Sequence, residues 1–538
     1  MPDLHGADDA RAPKPTPSGD AMAIYSTSRA RRSLLDTAFF KAISQLATFA
    51  GYAVMVRGMT EHNFGILSLL YSMISLATSF ASLGLEQTLI RYQPEYLKSG
   101  QPAAAAWLLR LTLRLRLASN VVLLGLTLLA WQWFAPFFHL APYRLQFVLF
   151  GAVLLLHFQT QLLQISLASH MQHRYSVGLV ALVAVAKLAI YLGVTHWSEL
   201  TLQNAILSDI AAYGISYLGL RVAHHIHCRS PAGSPGFRPV ASERRRLLRY
   251  GVFNNFNELG SFLISSQSDN FFIAAMVNPV AVGAYSFYTR LMAMSMRLLP
   301  LQMFDNVIRP MFFSTLAVEA DERIPRYFTF LINTSLVLLL PMVVYSLAYH
   351  HEIVAAVFDG RFISQSYLLP VVFAFQTFNI VAVPVTLVAQ YEEKARTILT
   401  SKVFIIYSIA AMVMLLPTLG LLGAALATGT GEALKNGFIW WHVRRLARWT
   451  NFASVLIRTL IVWGCALGAC LLLKKALPAP GIVHLVIGAL ICGGAVPVFI
   501  RSGALSPSDR AILERLIGGR VLAAWRWLMP ENGTVRPV

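Results

Sequence analysis

Long apolar segments, separated by short polar ones, follow one another along most of the chain. Fourteen of them are long enough for a membrane-spanning helix, which needs about 20 mostly apolar residues. The pattern predicts an all-α polytopic membrane protein with about 14 transmembrane helices. Two spans are weaker, because Asp209 lies within the sixth and Lys402 near the start of the eleventh. The predicted spans are 35–56, 64–86, 117–135, 145–168, 176–195, 201–220, 250–275, 281–303, 327–349, 365–388, 398–417, 420–441, 455–473 and 481–500.

The composition supports a membrane protein. Of the 538 residues, 56% are hydrophobic and 13% are charged, whereas soluble domains carry roughly 25% charged residues. The chain therefore has too little polar material to cover a soluble enzyme of this length. None of the four cysteines belongs to a CxxC pair and three lie in or beside apolar segments, so we interpret them as packing residues.

Lys and Arg are distributed unevenly over the connections between spans. The net charge is +19, from 44 Lys and Arg against 25 Asp and Glu. The tails and even-numbered connections hold 34 of the basic residues and the spans hold five, which leaves Arg57, Arg144, Arg361, Lys474 and Lys475 in the odd-numbered connections. Because cytoplasmic connections are enriched in Lys and Arg, both termini are expected in the cytoplasm. No basic domain is formed, which argues against nucleic-acid binding.

The spans fall into two halves joined by a basic stretch rich in Gly, Pro and Ser. Residues 103–116 are predicted to form an amphipathic lead-in to span three, and 507–529 a surface helix. The predicted organisation is a disordered cytoplasmic tail at 1–34, an N-lobe of spans one to six at 35–220, a cytoplasmic linker at 221–249, a C-lobe of spans seven to twelve at 250–441, spans thirteen and fourteen at 455–500, and an amphipathic cytoplasmic tail at 501–538.

Polar stripes recur in the two halves. The stripe in span one is Lys41, Gln45, Thr48 and Tyr52, and at one constant offset span seven carries Asn254, Glu258, Ser261 and Ser265. A serine stripe in span two, from Ser72 to Ser82, corresponds to a set in span eight that includes Arg290 and Arg297, and the same offset relates Gly65 to Gly283. Each stripe lies on one helix face. We interpret the match as an internal repeat of two pseudo-symmetric six-helix lobes in parallel orientation.

Ionisable residues within the spans indicate a polar interior, since each is costly in lipid unless paired or hydrated. Glu258 and Asp269 are eleven residues apart, which would place them on one face of a continuous helix. We interpret this face as the lining of a water-filled cavity; the alternative is structural salt bridging between spans seven and eight. Lys187 with Asp209 is expected to be a structural pair. Two further expectations are a snorkelling Arg297 and mutual neutralisation of Glu432 and Lys435.

Motifs for enzyme chemistry are absent from the sequence. There is no GxxxxGK[ST], no GxSxG and no HExxH, so no nucleotide site and no cofactor is predicted. His224, His225, His227 and Cys228 lie close together in the linker, where a solvated loop is favoured over a metal site. The longest odd-numbered connection, 350–364, is too short to hold a catalytic site.

Several short motifs carry a resemblance to a known family. They are Val56-Arg57 through Phe64-Gly65, the stretch LGLEQTLIRYQPE from Leu83 to Glu95, SDNFFIA from Ser268, and VGAYSFYTRL from Val282 to Leu291. In their order and spacing, from about residue 35 to 500, they resemble the polysaccharide-transporter (Wzx-like) branch of the multidrug/oligosaccharidyl-lipid/polysaccharide (MOP) flippase superfamily.

This resemblance implies two lobes around a cavity lined chiefly by spans one, two, seven and eight. It also implies export of lipid-linked saccharides, typically undecaprenyl-diphosphate oligosaccharides, by alternating access, with cation antiport in some members. No cation-binding pattern of the family matches residue for residue, so coupling stays open. An arginine-lined cavity suits a diphosphate headgroup, because Arg binds phosphate through two parallel hydrogen bonds.

The sequence therefore predicts a flippase for a lipid-linked polysaccharide precursor in the bacterial inner membrane. Arg290 and Lys41 are expected to attract the diphosphate. Glu258 and Asp269 are the acids best placed to carry a coupling proton or bind Na⁺. Glu258 is the first choice for the proton, whereas Asp269 is expected to pair with an arginine and to be structural. The alternatives are a drug antiporter of the same superfamily, a membrane-embedded polymerase or ligase, and a scaffold within an envelope-polysaccharide synthesis complex. The expected partners are the lipid-linked saccharide, membrane lipids, H⁺ or Na⁺, and such a synthesis complex with its polymerase.

Overall fold

The computed structural model describes residues 27–170, 172–228, 240–297, 320–392, 394–477 and 480–505, together with Asp509. In these residues all regular secondary structure is helical, as the sequence predicts. The stretch before Thr27 and the surface helix predicted at 507–529, apart from Asp509, lie outside the described part, as does the centre of the predicted linker.

The N-lobe contains the helices before the linker. Helix α2 begins with Thr60 as its N-cap, whose hydroxyl accepts a hydrogen bond from the backbone N–H of Asn63 at 3.3 Å. The helices are α1 Thr27–Gly58, α2 Glu61–Ala81, α3 Leu85–Lys98, α4 Pro102–Leu129, α5 Trp131–Phe137, α6 Arg144–Ser169, α7 His173–Trp197 and α8 Leu202–His227.

The C-lobe and the two helices after it complete the described chain. Asn278 caps α11 by accepting from Ala281 N at 2.8 Å, and Pro279 occupies the first turn, where no N–H is needed. The helices are α9 Ala241–Phe262, α10 Ser266–Met276, α11 Pro279–Met296, α12 Ala320–Phe358, α13 Leu368–Asn379, α14 Ala382–Tyr391, α15 Ala395–Thr400, α16 Phe404–Leu419, α17 Leu421–Val443, α18 Phe452–Ala476 and α19 Gly481–Phe499.

Ten stretches of the described chain are helical, long and apolar enough to cross a membrane, and each coincides with a predicted span. The other four predicted spans are helical as far as they are described, apart from a break within span seven, but they are shorter or more polar. Each of these four contains acidic or basic residues. They are spans six, seven, eight and twelve, at 201–220, 250–275, 281–303 and 420–441. The total of 14 spans therefore stays a prediction.

The same helix pairings occur in both lobes. In the N-lobe α1 packs on α7, α2 and α8 both pack on α6, and α7 packs on α8. The corresponding spans of the C-lobe repeat all four pairings, with α10 on α16, α11 and α17 on α13, and α16 on α17. Helices α18 and α19 pack against each other and against α12. The predicted architecture of two pseudo-symmetric lobes plus two C-terminal helices is thereby confirmed.

The two lobes cross closely where α2 meets α11. A Cβ atom on Gly65 would overlap the carbonyl oxygen of Pro279, and one on Gly283 would lie 3.1 Å from the carbonyl oxygen of Glu61. The two contacts are equivalent under the repeat, because the offset that converts Gly65 to Gly283 also converts Glu61 to Pro279. Only glycine allows the backbones to approach this closely.

The odd-numbered connections meet at one end of the bundle. Arg57 Nε donates to the carbonyl oxygen of Val357 at 2.8 Å, and His62 Nε2 is 2.9 Å from the hydroxyl of Tyr143. Connections after spans one, three and nine therefore lie together, as an alternating path through a membrane requires.

The even-numbered connections meet at the opposite end. Tyr96 donates to Glu243 at 2.6 Å, which joins α3 to the start of α9, and Lys394 Nζ donates to the carbonyl oxygen of His442 at 2.6 Å. The contacts group the connections as predicted; which group faces the cytoplasm stays a prediction from the Lys and Arg count.

Three boundaries differ from the predictions. Helix α1 begins at Thr27, within the stretch predicted as a disordered tail, and the predicted linker is shortened because α8 continues to His227 and α9 begins at Ala241. Residues 103–116 lead into span three as one continuous helix, as predicted, but Arg116 is fully buried rather than on a surface.

Span seven is broken between α9 and α10. The break spans Leu263–Ser265, where Ser265 has an extended backbone (φ −108°, ψ 155°) and its hydroxyl donates to the carbonyl oxygen of Phe262 at 2.6 Å. A serine side chain can thus satisfy a carbonyl that the interrupted helix leaves free. The expectation that Glu258 and Asp269 share one helix face is therefore wrong.

Candidate functional site

The polar stripe of α1 becomes more buried along its length. Lys41, Gln45 and Thr48 are half-buried, whereas Tyr52 is only 3% exposed. The Tyr52 ring stacks on Phe287 of α11 with ring centroids 6.1 Å apart, and its hydroxyl donates to the Phe287 carbonyl at 3.4 Å. Tyr52 thus packs between the lobes in this conformation, and a cavity-lining role for the stripe stays a prediction.

Arg290 of α11 reaches across to aromatic rings of the N-lobe. Its guanidinium carbon lies 4.8 Å from the ring centre of Tyr71 on α2 and 5.4 Å from that of Tyr52. Both distances are within the range of a cation–π interaction. Arg290 is half-buried.

Tyr71 connects Arg290 to a buried ion pair. Its hydroxyl donates to Asp209 of α8 and accepts from Lys187 Nζ of α7 at 3.1 Å. Lys187 is also ion-paired with Asp209, whose side chain is fully buried, so the structural pair expected from the sequence is present. The N-lobe therefore holds a continuous polar network that ends at Arg290.

The span-seven stripe has its own partners. Asn254 Nδ2 donates to the Tyr250 carbonyl at 2.9 Å within α9, while the exposed Ser261 accepts from Lys402 Nζ at 2.9 Å. Sequence reasoning assigned no role to Lys402, because one lysine near a span edge is typical of a poorly defined boundary. The structure brings this lysine to the predicted stripe instead.

Glu258 lies at the contact between the lobes. Its carboxylate is 3.1 Å from the Ser82 hydroxyl and accepts from Gln87 Nε2 at 3.2 Å. Ser82 and Gln87 flank the start of α3 in the N-lobe, whereas Glu258 belongs to α9. Opening the lobes at this end would therefore break the bonds of Glu258.

Asp269 lies in a different environment, buried in the first turn of α10. Tyr285 of α11 donates to its carboxylate at 2.6 Å, and Thr428 of α17 lies 2.7 and 2.8 Å from the two carboxylate oxygens. The first turn of a helix favours a negative charge. Among the described residues no basic side chain is ion-paired with Asp269, so the predicted arginine pairing is wrong.

A second acid of the C-lobe is held in a similar way. Asn379 donates to Glu432, and Asn436 Nδ2 donates to Asn379 at 3.0 Å. Within the described residues Glu432 and Lys435 form no ion pair, so the expected mutual neutralisation is wrong as a direct contact. The sequence missed Thr428, Tyr285 and Asn379 because neutral polar residues are common in packed helices.

Arg297 and the histidine cluster complete the predicted residues. Arg297 is exposed at the C-terminal end of α11. His224 lies 6.0 Å from His170 between ring centres and 3.1 Å from the Ser166 hydroxyl. Burial, and next the neighbouring His170, lower the pKa of His224 to about 4. Across the described chain no three His, Cys, Asp or Glu side chains converge closely enough to hold a metal ion.

These features define a polytopic membrane protein whose two helical lobes face each other across ionisable side chains. Residues 33–316 match a family described as polysaccharide biosynthesis protein. Because the match covers more than half of the 538 residues, the chain belongs to this family.

Solved structures support the same fold. The lipid II flippase MurJ, in an inward closed conformation, matches with a TM-score of 0.66 and 10% identity, over 89% of this chain and 99% of that one. An inward-facing multidrug-resistance MATE transporter of the MOP superfamily matches with a TM-score of 0.56 and 15% identity, over 76% of this chain and 98% of that one. No protein of curated function matches the chain significantly by sequence.

Proposed function

We propose that the protein is a flippase that moves a lipid-linked oligosaccharide or polysaccharide precursor across the bacterial inner membrane by alternating access. The observation that carries the proposal is the family match, which joins a polysaccharide biosynthesis family to a two-lobed fold similar to that of a lipid II flippase. The lobes, the polar groups between them and the predicted cytoplasmic termini are consistent with this activity.

Arg290 is the residue proposed to attract the diphosphate, with Lys41 across the repeat. The guanidinium group of Arg290 lies over the rings of Tyr71 and Tyr52, and these cation–π contacts give its N–H groups no oxygen acceptor. Those N–H groups are the ones that form paired hydrogen bonds to phosphate oxygens. The remaining predicted lining residues would surround the headgroup and the first sugars: Gln45, Thr48, Tyr52, Asn254, Glu258, Ser261, Ser265 and Arg297.

Coupling to a cation is assigned to the two acids separately. Glu258 stays the proposed proton carrier, because its bonds lie between the lobes and are exposed to water when they part. Asp269 is proposed as a second site, for H⁺ or Na⁺, since its carboxylate is surrounded by hydroxyl oxygens and carries no cationic partner in the described structure.

Two other functions compete with this one. A drug antiporter of the same superfamily would transport cationic compounds, for which a half-buried arginine between the lobes is unfavourable. A non-transporting component of a polysaccharide synthesis complex would bind partners without moving lipid. Both alternatives are separated from the proposal by a direct transport assay.

The test uses protein reconstituted into liposomes with a labelled polyprenyl-diphosphate oligosaccharide. Wild type should make the label on the inner leaflet accessible to a membrane-impermeant reagent. Arg290→Ala should lower the rate at which the label becomes accessible at least tenfold. Arg290→Lys should lower this rate less, because it keeps a point charge in place of the planar guanidinium fork. Arg144→Ala removes an exposed arginine of an odd-numbered connection and should leave the rate unchanged. Transport of a cationic dye but not of the lipid would favour the antiporter. A normal rate in Arg290→Ala would exclude Arg290 as the headgroup ligand.

A further inference from the structure

A buried polar cluster lies within the N-lobe, where α3, α4 and α6 pack on one another. At its centre Nη2 of Arg116 lies 3.3 Å from a carboxylate oxygen of Glu86, and the two residues are 0% and 5% exposed. The guanidinium carbon of Arg116 lies 3.7 Å from the centre of the Phe158 ring. The ion pair is therefore enclosed between an aromatic ring and the start of α3.

Two amide side chains complete the cluster, and their own bonds fix their orientation. Asn120 follows Arg116 by one turn on the same face of α4, and its Nδ2 donates to the Arg116 carbonyl at 2.8 Å. Nε2 of Gln161 on α6 donates to Glu86 at 3.2 Å. Turning either amide would set two oxygens against each other, so the atom that each amide leaves over is an oxygen.

Both donors and acceptors in this cluster have unused hydrogen-bonding capacity. Arg116 carries five N–H groups, and none of them forms a hydrogen bond within the described residues, because the contact with Glu86 does not have hydrogen-bond geometry. The buried acceptors that have no hydrogen-bond partner there are Glu86 Oε1, Asn120 Oδ1 and Gln161 Oε1, and His157 Nδ1 on α6 is also unbonded. Buried polar groups are almost always hydrogen-bonded, so these atoms indicate a bound ligand.

The chemistry of the cluster selects the kind of ligand. An anion would bind the N–H groups of Arg116, but the carboxylate of Glu86 and the two amide oxygens would repel it. A cation would bind these oxygens, but Arg116 would repel it. A neutral molecule that both donates and accepts satisfies all of them. Water has these properties, and a buried water molecule typically makes about three hydrogen bonds to groups that would otherwise be unsatisfied.

We propose that a small cluster of water molecules is bound between α3, α4 and α6. It connects the edge of the Arg116 guanidinium group to the oxygens of Glu86, Asn120 and Gln161. The bound water allows the ion pair to remain charged inside the helix bundle without a direct hydrogen bond between the two side chains.

The position of the site gives the bound water a structural role. Gln87 follows Glu86 on α3 and donates to Glu258 of the C-lobe at 3.2 Å. By holding Glu86 against Arg116, the water fixes the start of the helix that presents Gln87 to the other lobe. All the residues that bind it belong to the N-lobe, so the site persists when the lobes separate. The inference therefore stands independently of the proposed function.

Radiolytic hydroxyl-radical labelling of the full chain in lipid nanodiscs tests for this water, because radicals formed from bound water modify the side chains beside it. Phe158 is fully buried, so it is labelled only if water is bound next to it. Phe150 is the internal reference. It lies on the same helix, is also buried and lines an apolar pocket of about 260 Å³, which should stay dry. Phe158 should be labelled at least fivefold faster than Phe150.

Matched variants test which groups hold the water. Gln161→Met and Asn120→Leu keep the side-chain volume but remove a polar partner, and each should lower the labelling rate of Phe158 at least threefold. Gln159→Met is the control, because it makes the same change on the same helix where the amide donates to the backbone carbonyl of Leu113 at 3.1 Å. It should leave the rate within twofold of wild type. Thermal melting checks that each variant is folded, and the wild-type comparison needs no variant.

Two results would overturn the proposal. Labelling of Phe158 no faster than that of Phe150 in wild type would mean that the side chains of the cluster bond directly to one another. An unchanged rate at Phe158 in both Gln161→Met and Asn120→Leu would mean that these groups hold no water. The assay uses no transported lipid, so neither result bears on the flipping experiment.

Discussion

The buried acids of the two lobes are compensated in different ways. In the N-lobe Asp209 is ion-paired with Lys187, and Glu86 with Arg116. In the C-lobe the buried Asp269 receives hydrogen bonds from the hydroxyl groups of Tyr285 and Thr428, with no cation paired to it in the described residues.

This difference determines which buried acids can change their charge. A buried ion pair is neutral as a unit, and removing one partner leaves a costly charge behind. A buried carboxylate held by neutral donors keeps its charge at a greater cost, and taking up a proton or a small cation relieves it. On this comparison the N-lobe is expected to keep its charge during a transport cycle, whereas the C-lobe acids and the acid between the lobes can change theirs.

The largest expected effect comes from breaking the N-lobe pair. Lys187→Met should lower the free energy of unfolding by about 3–5 kcal/mol, because Asp209 is left buried without its cation. The loss is measured as thermal stability in detergent. Lys187→Met combined with Asp209→Asn should recover much of it, and a double variant as unstable as the single one would show that packing rather than charge holds this site.

A smaller effect on stability is expected in the C-lobe. Asp269→Asn keeps the shape of the side chain and removes a charge that has no paired cation in the described structure, so stability should change by no more than about 1 kcal/mol. The response of flipping to a Na⁺ or H⁺ gradient should fall at least tenfold, measured in liposomes with and without the gradient. Asp209→Asn is the matched comparison. If Asp269→Asn is as unstable as Asp209→Asn, the contrast between the lobes does not hold.

The smallest expected effect is on the pH dependence of stability. It arises from His224 and His170, which lie at the edge of the N-lobe outside the predicted spans. The folded protein protonates His224 near pH 4, whereas the unfolded chain does so near 6.5. Burial also lowers the pKa of His170. The unfolded state therefore binds more protons in this window, and stability should fall as the pH drops from about 6.5 to 4.

Because His224 is partly solvated, its share should be no more than about 1 kcal/mol. His224→Gln should flatten the dependence of melting temperature on pH between 6.5 and 4 and leave melting above pH 7 nearly unchanged. A variant that melts with the same pH profile as wild type would place the titration elsewhere in the N-lobe.

The sequence predicted the fold better than the site. Apolar length alone identified the ten spans that the described structure bears out, and the repeat offset between spans two and eight paired Gly65 with Gly283, which do meet in the structure. The break in span seven could not be found in the same way. Ser261 and Ser265 continue the polar stripe whether or not the helix is continuous, so the spacing of Glu258 and Asp269 is misleading.

The site residues that the sequence did not predict were missed for one common reason. Arg116 belongs to a stretch of alternating Leu and Arg that is typical of a membrane-surface helix, and its burial depends on Glu86 from another helix. Tyr71, which links Arg290 to Asp209, is a tyrosine within an apolar span and carries no pattern of its own. Such roles arise from tertiary contacts, and the periodicity of one helix cannot reveal them.

The crossing of α2 and α11 at Gly65 and Gly283 has a mechanical consequence. Because backbone atoms touch there, the two lobes can rotate about the crossing more easily than they can slide past it. The crossing lies near the odd-numbered end, so the rest of α2, which is about 24 Å long, acts as a lever arm. A rotation of about 10° about the crossing displaces the far end of the helix by about 4 Å. That displacement is enough to separate Ser82 from Glu258. The glycine crossing would then act as the pivot of this rotation, and the Ser82–Glu258 contact would hold the far end of α2 against the C-lobe.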